Sequence, residues 1–150
     1  MSQAAMSKSP GEQELMTLLR SAGLRPTQQR LALAGLLFAG GHRHMTAESL
    51  YEEAGASGVK VSLATVYNTL NHFKEAGLLR ELIVDSGKSY FDTNTAPHHH
   101  AYDEQTGEIH DLELLVDERQ LCAGLKLPPG RQVSGVDVVV RMRAAAEGSR

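Results

Sequence analysis

The stretch that most constrains this chain is residues 62–92, where the hydrophobic period switches from that of a helix to that of a strand. In SLATVYNTLNHFKEAG, Leu63, Val66, Leu70 and Phe73 recur at helical spacing. Ser62 is a suitable N-cap, and Gly77 stands where a left-handed C-cap is wanted. LLRELIV and SYFDT follow as β-forming runs on either side of the turn DSGK, which predicts a hairpin. Upstream, Leu15, Leu18, Leu19 and Ala22 make one apolar stripe over Glu12–Ala22, ended by Gly23. Thr27 caps a second helix to about Phe38, stopped by Gly40 and Gly41, and Thr46 opens a third at TAESLYEEA. Three helices, a longer helix and a hairpin is the order of a winged helix-turn-helix. In that motif the helix after the turn enters the major groove and the wing lies along the backbone.

Beyond the hairpin, DTNTAP (92–97) has the composition of a linker. HHHAYDE, the turn QTGE and EIHDLEL read as a second hairpin. DERQLCAGLKL reads as a short helix, LPPG as a break, and RQVSGVDVVVRMR as the most strand-like stretch of the chain. The expected fold class is therefore α+β. Residues 12–91 form an N-terminal winged helix-turn-helix domain, 92–97 a hinge, and 98–143 a small C-terminal α/β domain, with polar tails at 1–11 and 144–150.

No apolar run approaches the roughly 20 residues needed to span a bilayer, and the N-terminal stretch has no apolar core of a signal peptide. The single cysteine, Cys122, forms no intrachain disulfide, and no CxxC pair offers a thiolate zinc site. A reducing, cytoplasmic setting is expected, with Cys122 a small buried hydrophobe. The formal charge is −3, but it is uneven: nine Lys/Arg against eight Asp/Glu in residues 1–90, and six against ten in 91–150. If one half meets phosphate, it is the first.

On the helix beginning at Ser62, the expected exposed positions hold Ser62, Thr65, Tyr67, Asn68 and Asn71. Such hydroxyl and amide groups can meet base edges, and Ala64 or Tyr67 can touch thymine methyls. Arg25, Arg30 and Lys88 are candidate phosphate contacts. An ordinary amphipathic helix with a solvated face has the same composition; the position after a turn and before a wing favours DNA.

Seven histidines are many for this length, and five of them cluster as His42/His44 and His98/His99/His100. If 98–104 is a strand, His98 and His100 share one face and His99 takes the other. Two imidazoles beside Asp92 and Asp111 make a nitrogen/oxygen donor set suited to Fe(II), Mn(II) or Zn(II). The alternative is a polar loop with surface histidines. No HExxH and no nucleophile elbow occurs, and the donors scatter over both halves, so an enzyme is not expected.

AGLRPTQQR, HMTAESLYEEA, VSLATVYNTLNHFKEAGLL, DSGKSYFDT and the HHH cluster together resemble the ferric uptake regulator (Fur) superfamily, over about residues 12 to 143. Within it the likeness is to the iron response regulator (Irr) group, through ATVYNTLN and the internal HHH. The resemblance implies a homodimeric transcription repressor that binds AT-rich palindromic double-stranded DNA when metallated, with Tyr67 and its neighbours reading bases. Asn68 stands where Fur commonly has arginine. By position, the resemblance assigns a metal site to His44, Asp92, His98, His100 and Asp111. Asp at both acidic positions looks more like the peroxide-sensing PerR branch. A second site would use His99 and Glu118, with Asp137 near the place of the family's histidine. The cysteine zinc site is absent, because Asp103 and Thr106 stand where its first CxxC would be. The Irr likeness further implies haem as an effector, held by His98, His99 and His100. The expected function is an iron- or haem-responsive regulator of iron and haem metabolism, with a peroxide sensor or a zinc/manganese-responsive regulator as alternatives on the same residues.

Overall fold

A computed structural model describes residues 9–148 apart from Ser86; most of the tail expected at 1–11 and the end of that at 144–150 lie outside the described residues. The chain divides into two compact units, one up to Thr95 and one from Ala96. The fold is α+β.

The first unit runs α1 (Glu12–Ser21), α2 (Gln28–Leu37), β1 (His44–Met45), α3 (Ala47–Ala56), α4 (Leu63–Glu75), β2 (Arg80–Asp85) and β3 (Lys88–Asp92). Each of the last three helices starts where a hydroxyl can take up a free backbone N–H. Thr27 accepts from the Arg30 N–H at 3.2 Å, Thr46 from Ser49 at 3.1 Å, and Ser62 from Thr65 at 3.1 Å. At Thr46 the cap is reciprocal, because its own N–H donates to Ser49 Oγ at 3.0 Å. Gly77, at φ +80°, ends α4, and the Leu78 N–H returns to the Phe73 carbonyl at 2.9 Å.

The apolar stripes meet in one core. Leu19 of α1, Leu33 and Leu37 of α2, Leu50 of α3, and Val66, Leu70 and Phe73 of α4 have no exposed surface. Burial of each such side chain stabilises the unit by about 1.5–3 kcal/mol. Phe91 of β3 and Met45 of β1 close this core from the sheet side. The sheet order is β1-β3-β2, all antiparallel, so the hairpin read from the sequence is joined by a two-residue strand that no periodicity announced.

The second unit holds β4 (His99–Asp103), β5 (Ile109–Leu112), α5 (Glu118–Cys122) and β6 (Val139–Met142). β4 lies centrally, antiparallel to β5 and parallel to β6. Three expectations need correction. The strand expected across residues 131–143 is confined to Val139–Met142, because it pairs with β4, whose first main-chain bond to it reaches back only to the Val138 carbonyl. The helix expected as far as Leu127 ends at Cys122, just before Gly124. Cys122 is half-buried, not buried, since α5 carries no buried residue in this unit. No helix among the described residues is long and apolar enough to cross a membrane.

Candidate metal centre and DNA-facing helix

In the first unit, the β1–β3 register sets His44 directly opposite Asp92. His44 Nε2 lies 3.0 Å from Asp92 Oδ2, and the Asp92 side chain is 2% exposed. Its other oxygen, Oδ1, accepts the Asn94 N–H at 2.8 Å, which fixes the plane of the carboxylate. The residues flanking the pair are bound to each other. The Arg43 N–H donates to Thr93 Oγ1 at 2.9 Å, and the Thr93 N–H donates to the Arg43 carbonyl at 3.1 Å. Arg43 also donates both arms of its guanidinium to Glu53 of α3, at 3.0 and 2.7 Å. This pairing raises the Arg43 pKa and holds Glu53 below the usual carboxylate range.

In the second unit, the β4–β5 register sets His100 opposite Asp111. Asp111 Oδ1 lies 3.1 Å from His98 Nε2 and 3.8 Å from His100 Nε2. The two imidazole rings are 4.3 Å apart between centroids and inclined at 59°. His98 Nδ1 lies 2.6 Å from the Ala96 carbonyl and donates to it, which orients the ring with Nε2 toward the carboxylate. Two ligands on one ion, each bound at about 2.0–2.2 Å, stand roughly 3.0–3.5 Å apart. The His44–Asp92 and His98–Asp111 separations match that spacing, and nitrogen and oxygen donors without sulfur suit iron, manganese or zinc. The residues present therefore fit a divalent metal.

His99 faces the other way: its Nδ1 accepts the Val138 N–H at 3.2 Å. Among the described residues, His99 does not gather with Glu118 and Asp137 into a three-donor group.

On α4, Ala64, Tyr67 and Asn68 are exposed together, Thr65 is half-buried, and Ser62 and Thr65 share a hydroxyl–hydroxyl bond at 2.9 Å within the cap. Lys88 is exposed at the start of β3, and Arg25 is exposed before α2. Arg30 is held in place: its guanidinium donates to the Arg25 carbonyl at 3.0 Å and to His72 Nδ1 at 3.2 Å. Two partners escaped the sequence reading. The Tyr67 hydroxyl donates to the Glu48 carboxylate, which lowers the Glu48 pKa and raises that of the phenol. His72, the residue after Asn71 on α4, steadies Arg30. Neither pairing follows a periodicity, so only the packing of α3 and α2 against α4 reveals them.

The model of the ferric uptake regulator family matches residues 21–123, more than half of the chain. The chain belongs to the ferric uptake regulator family. Among curated proteins, it is 39% identical over 101 residues to the peroxide-responsive repressor PerR of Staphylococcus aureus (strain Mu50 / ATCC 700699), covering 67% of this chain and 68% of that one. Among solved structures, it is similar to the Vibrio cholerae ferric uptake regulator, with TM-score 0.72 and 28% identity over 86% of this chain and 98% of that one. The Pseudomonas aeruginosa ferric uptake regulator with manganese gives TM-score 0.68 and 28% identity, covering 88% and 98%. Fur-family proteins are metal-responsive transcription regulators that bind DNA as dimers, and this chain is a regulator of that class rather than an enzyme.

Proposed function

We propose that this Fur-family protein is an iron-responsive repressor in which one divalent ion is shared by both units. Its ligands are His44 and Asp92 from the first unit and His98, His100 and Asp111 from the second. The carrying observation is that each half is already assembled, with a carboxylate oxygen held against imidazole Nε2 atoms at ligand-like spacing. Residues 12–91 act as the DNA-binding domain, 92–97 as the hinge, and 98–143 as the dimerisation and sensing domain. Ligands drawn from both sides of a hinge bind a shared ion only in one arrangement. DNA affinity then rises by the difference in metal affinity between the open and closed arrangements, and by no more.

On the DNA side, Ala64, Tyr67 and Asn68 face base edges in the major groove, with Ser62 and Thr65 at the mouth of the helix. Arg25, Arg30 and Lys88 contact phosphates of an AT-rich, palindromic operator. Dimerisation is supported by apolar side chains left exposed on the second unit, including Leu115, Leu121, Leu125 and Val140.

Two finer readings attach to the same residues. The resemblance to the Irr group favours haem as the effector, taken up at His98, His99 and His100 and competing with the ion for His98 and His100. The 39% identity to a peroxide-responsive repressor, together with Asp at both acidic positions, favours iron-dependent peroxide sensing. One gel-shift series separates the readings, using an AT-rich iron-control duplex with metal-free, Mn(II)-loaded and haem-loaded protein. The Irr-like reading expects tight binding with Mn(II) and release with haem, together with a Soret band that disappears when His98–His100 are replaced by alanine. Unchanged haem uptake in that variant removes the haem reading. A mass gain on His44 or His98 after peroxide treatment of the iron-loaded protein selects the peroxide sensor.

A further inference from the structure

We propose that the Arg43–Glu53 pair makes the His44–Asp92 half-site and the helix-turn-helix move as one body, so that breaking it uncouples metal binding from DNA binding. The inference rests on the shared-ion reading above and adds to it the part that carries the signal to α4.

His44 sits on a strand of only two residues. The chain arrives there from Gly40 and Gly41, with Gly40 at φ +103°, so the segment before the strand supplies little stiffness. Main-chain pairing ties His44 to Asp92 of β3 in the wing, and Arg43 is bonded to Thr93 just beyond it. The side chain of Arg43 adds a directional polar connection to the apolar one that Met45 and Phe91 make with the helices. Its Nη1 and Nη2 donate to Glu53 Oε1 and Oε2 of α3, and Nη1 also donates to the Leu36 carbonyl near the end of α2, at 3.3 Å. Glu53 lies next to Ala54, which is buried in one core with Leu50, Val66 and Leu70 of α3 and α4. The residue immediately before a metal ligand is thus bolted to both helices that support α4.

The two-armed geometry matters here. Two parallel bonds between planar groups resist rotation as well as separation, which a single Lys–carboxylate contact does not. Both side chains are about one-third exposed, at 31% and 35%, so the pair contributes little to overall stability. A purely stabilising role would therefore be a weak one, whereas a connection between two moving parts needs only direction.

The test uses the full chain, Mn(II), and a duplex selected from a random-sequence pool by the wild-type protein. Glu53→Ala and Arg43→Lys are compared with wild type for DNA affinity with and without Mn(II), for Mn(II) stoichiometry, and for thermal midpoint. Amide hydrogen exchange at His44 and Met45 is followed in the metal-free protein. Both variants are expected to stay folded and to bind as many Mn(II) ions as wild type, with faster exchange at His44 and Met45. The ratio of metal-loaded to metal-free DNA affinity is expected to fall roughly fivefold or more, the low end of ordinary coupling strengths. An unchanged ratio in both variants overturns the coupling, as does an equal loss of affinity with and without Mn(II). A wild-type ratio of one contradicts the shared-ion reading itself and takes the coupling with it.

Discussion

At the scale of single residues, Asp111 poses a specific chemical demand. One of its oxygens faces Nε2 of His98 at 3.1 Å and Nε2 of His100 at 3.8 Å, while the Nδ1 proton of His98 is committed to the Ala96 carbonyl. Imidazole nitrogens and a carboxylate oxygen gathered at these separations offer donor atoms that one divalent cation can share. The alternation of side chains in HHH was readable from the sequence, and it explains why His98 and His100 lie together while His99 turns to Val138. Replacing His98 by alanine is expected to weaken Mn(II) binding roughly a hundredfold or more, exceeding the loss usual for outer-shell partners. Replacing the exposed His110 should leave it unchanged, and isothermal titration calorimetry of the two variants reads the difference. A second residue-level prediction concerns acid stability. Glu81 is held below its usual pKa first by Lys74 at 2.7 Å and then by Ser89 at 2.8 Å. A depressed carboxylate stabilises the fold above its unfolded-state pKa, and that contribution is lost as pH falls through the folded-state value. Glu81→Gln should therefore lower stability at neutral pH by about 0.2–1 kcal/mol and converge with wild type in acid, as urea unfolding at several pH values will show.

At the scale of elements, the helices were legible because each carries its own start signal and its own stripe. Thr27, Thr46 and Ser62 all cap, and the reciprocal bond at Thr46 needs only residues three apart. Thr46→Ala is expected to cost about 1 kcal/mol in chemical denaturation. Phe73→Ala, which empties a fully buried position, should cost about 3–5 kcal/mol. What the sequence did not disclose depends on partners distant along the chain. β1 is a strand only because β3 offers it a register, and β6 is short only because β4 is. The Arg43–Glu53 and Tyr67–Glu48 pairs are likewise products of how α3 lies against β1 and α4. No local pattern in the sequence marks such contacts, since their spacing is set by topology rather than by helical or strand period.

At the scale of the whole molecule, the sequence reading of two halves with different jobs rested on charge, on linker composition and on the Fur resemblance. Membership of the ferric uptake regulator family and the α+β fold are now established. The exposed Leu121 and Val140 of the second unit belong to the proposed dimer surface. Replacing both by glutamate should shift sedimentation from dimer to monomer without loss of secondary structure. The central claim is that two half-sites, one in each unit, hold a single ion. The most direct measurement is Mn(II) stoichiometry and affinity by calorimetry in wild type and in two variants, His44→Ala for the first unit and Asp111→Ala for the second. A shared ion predicts that this high-affinity Mn(II) site has one ion per chain in wild type and that either variant alone abolishes it. Two ions per chain at that affinity, or a variant in one unit that leaves the site at full affinity, would contradict the account.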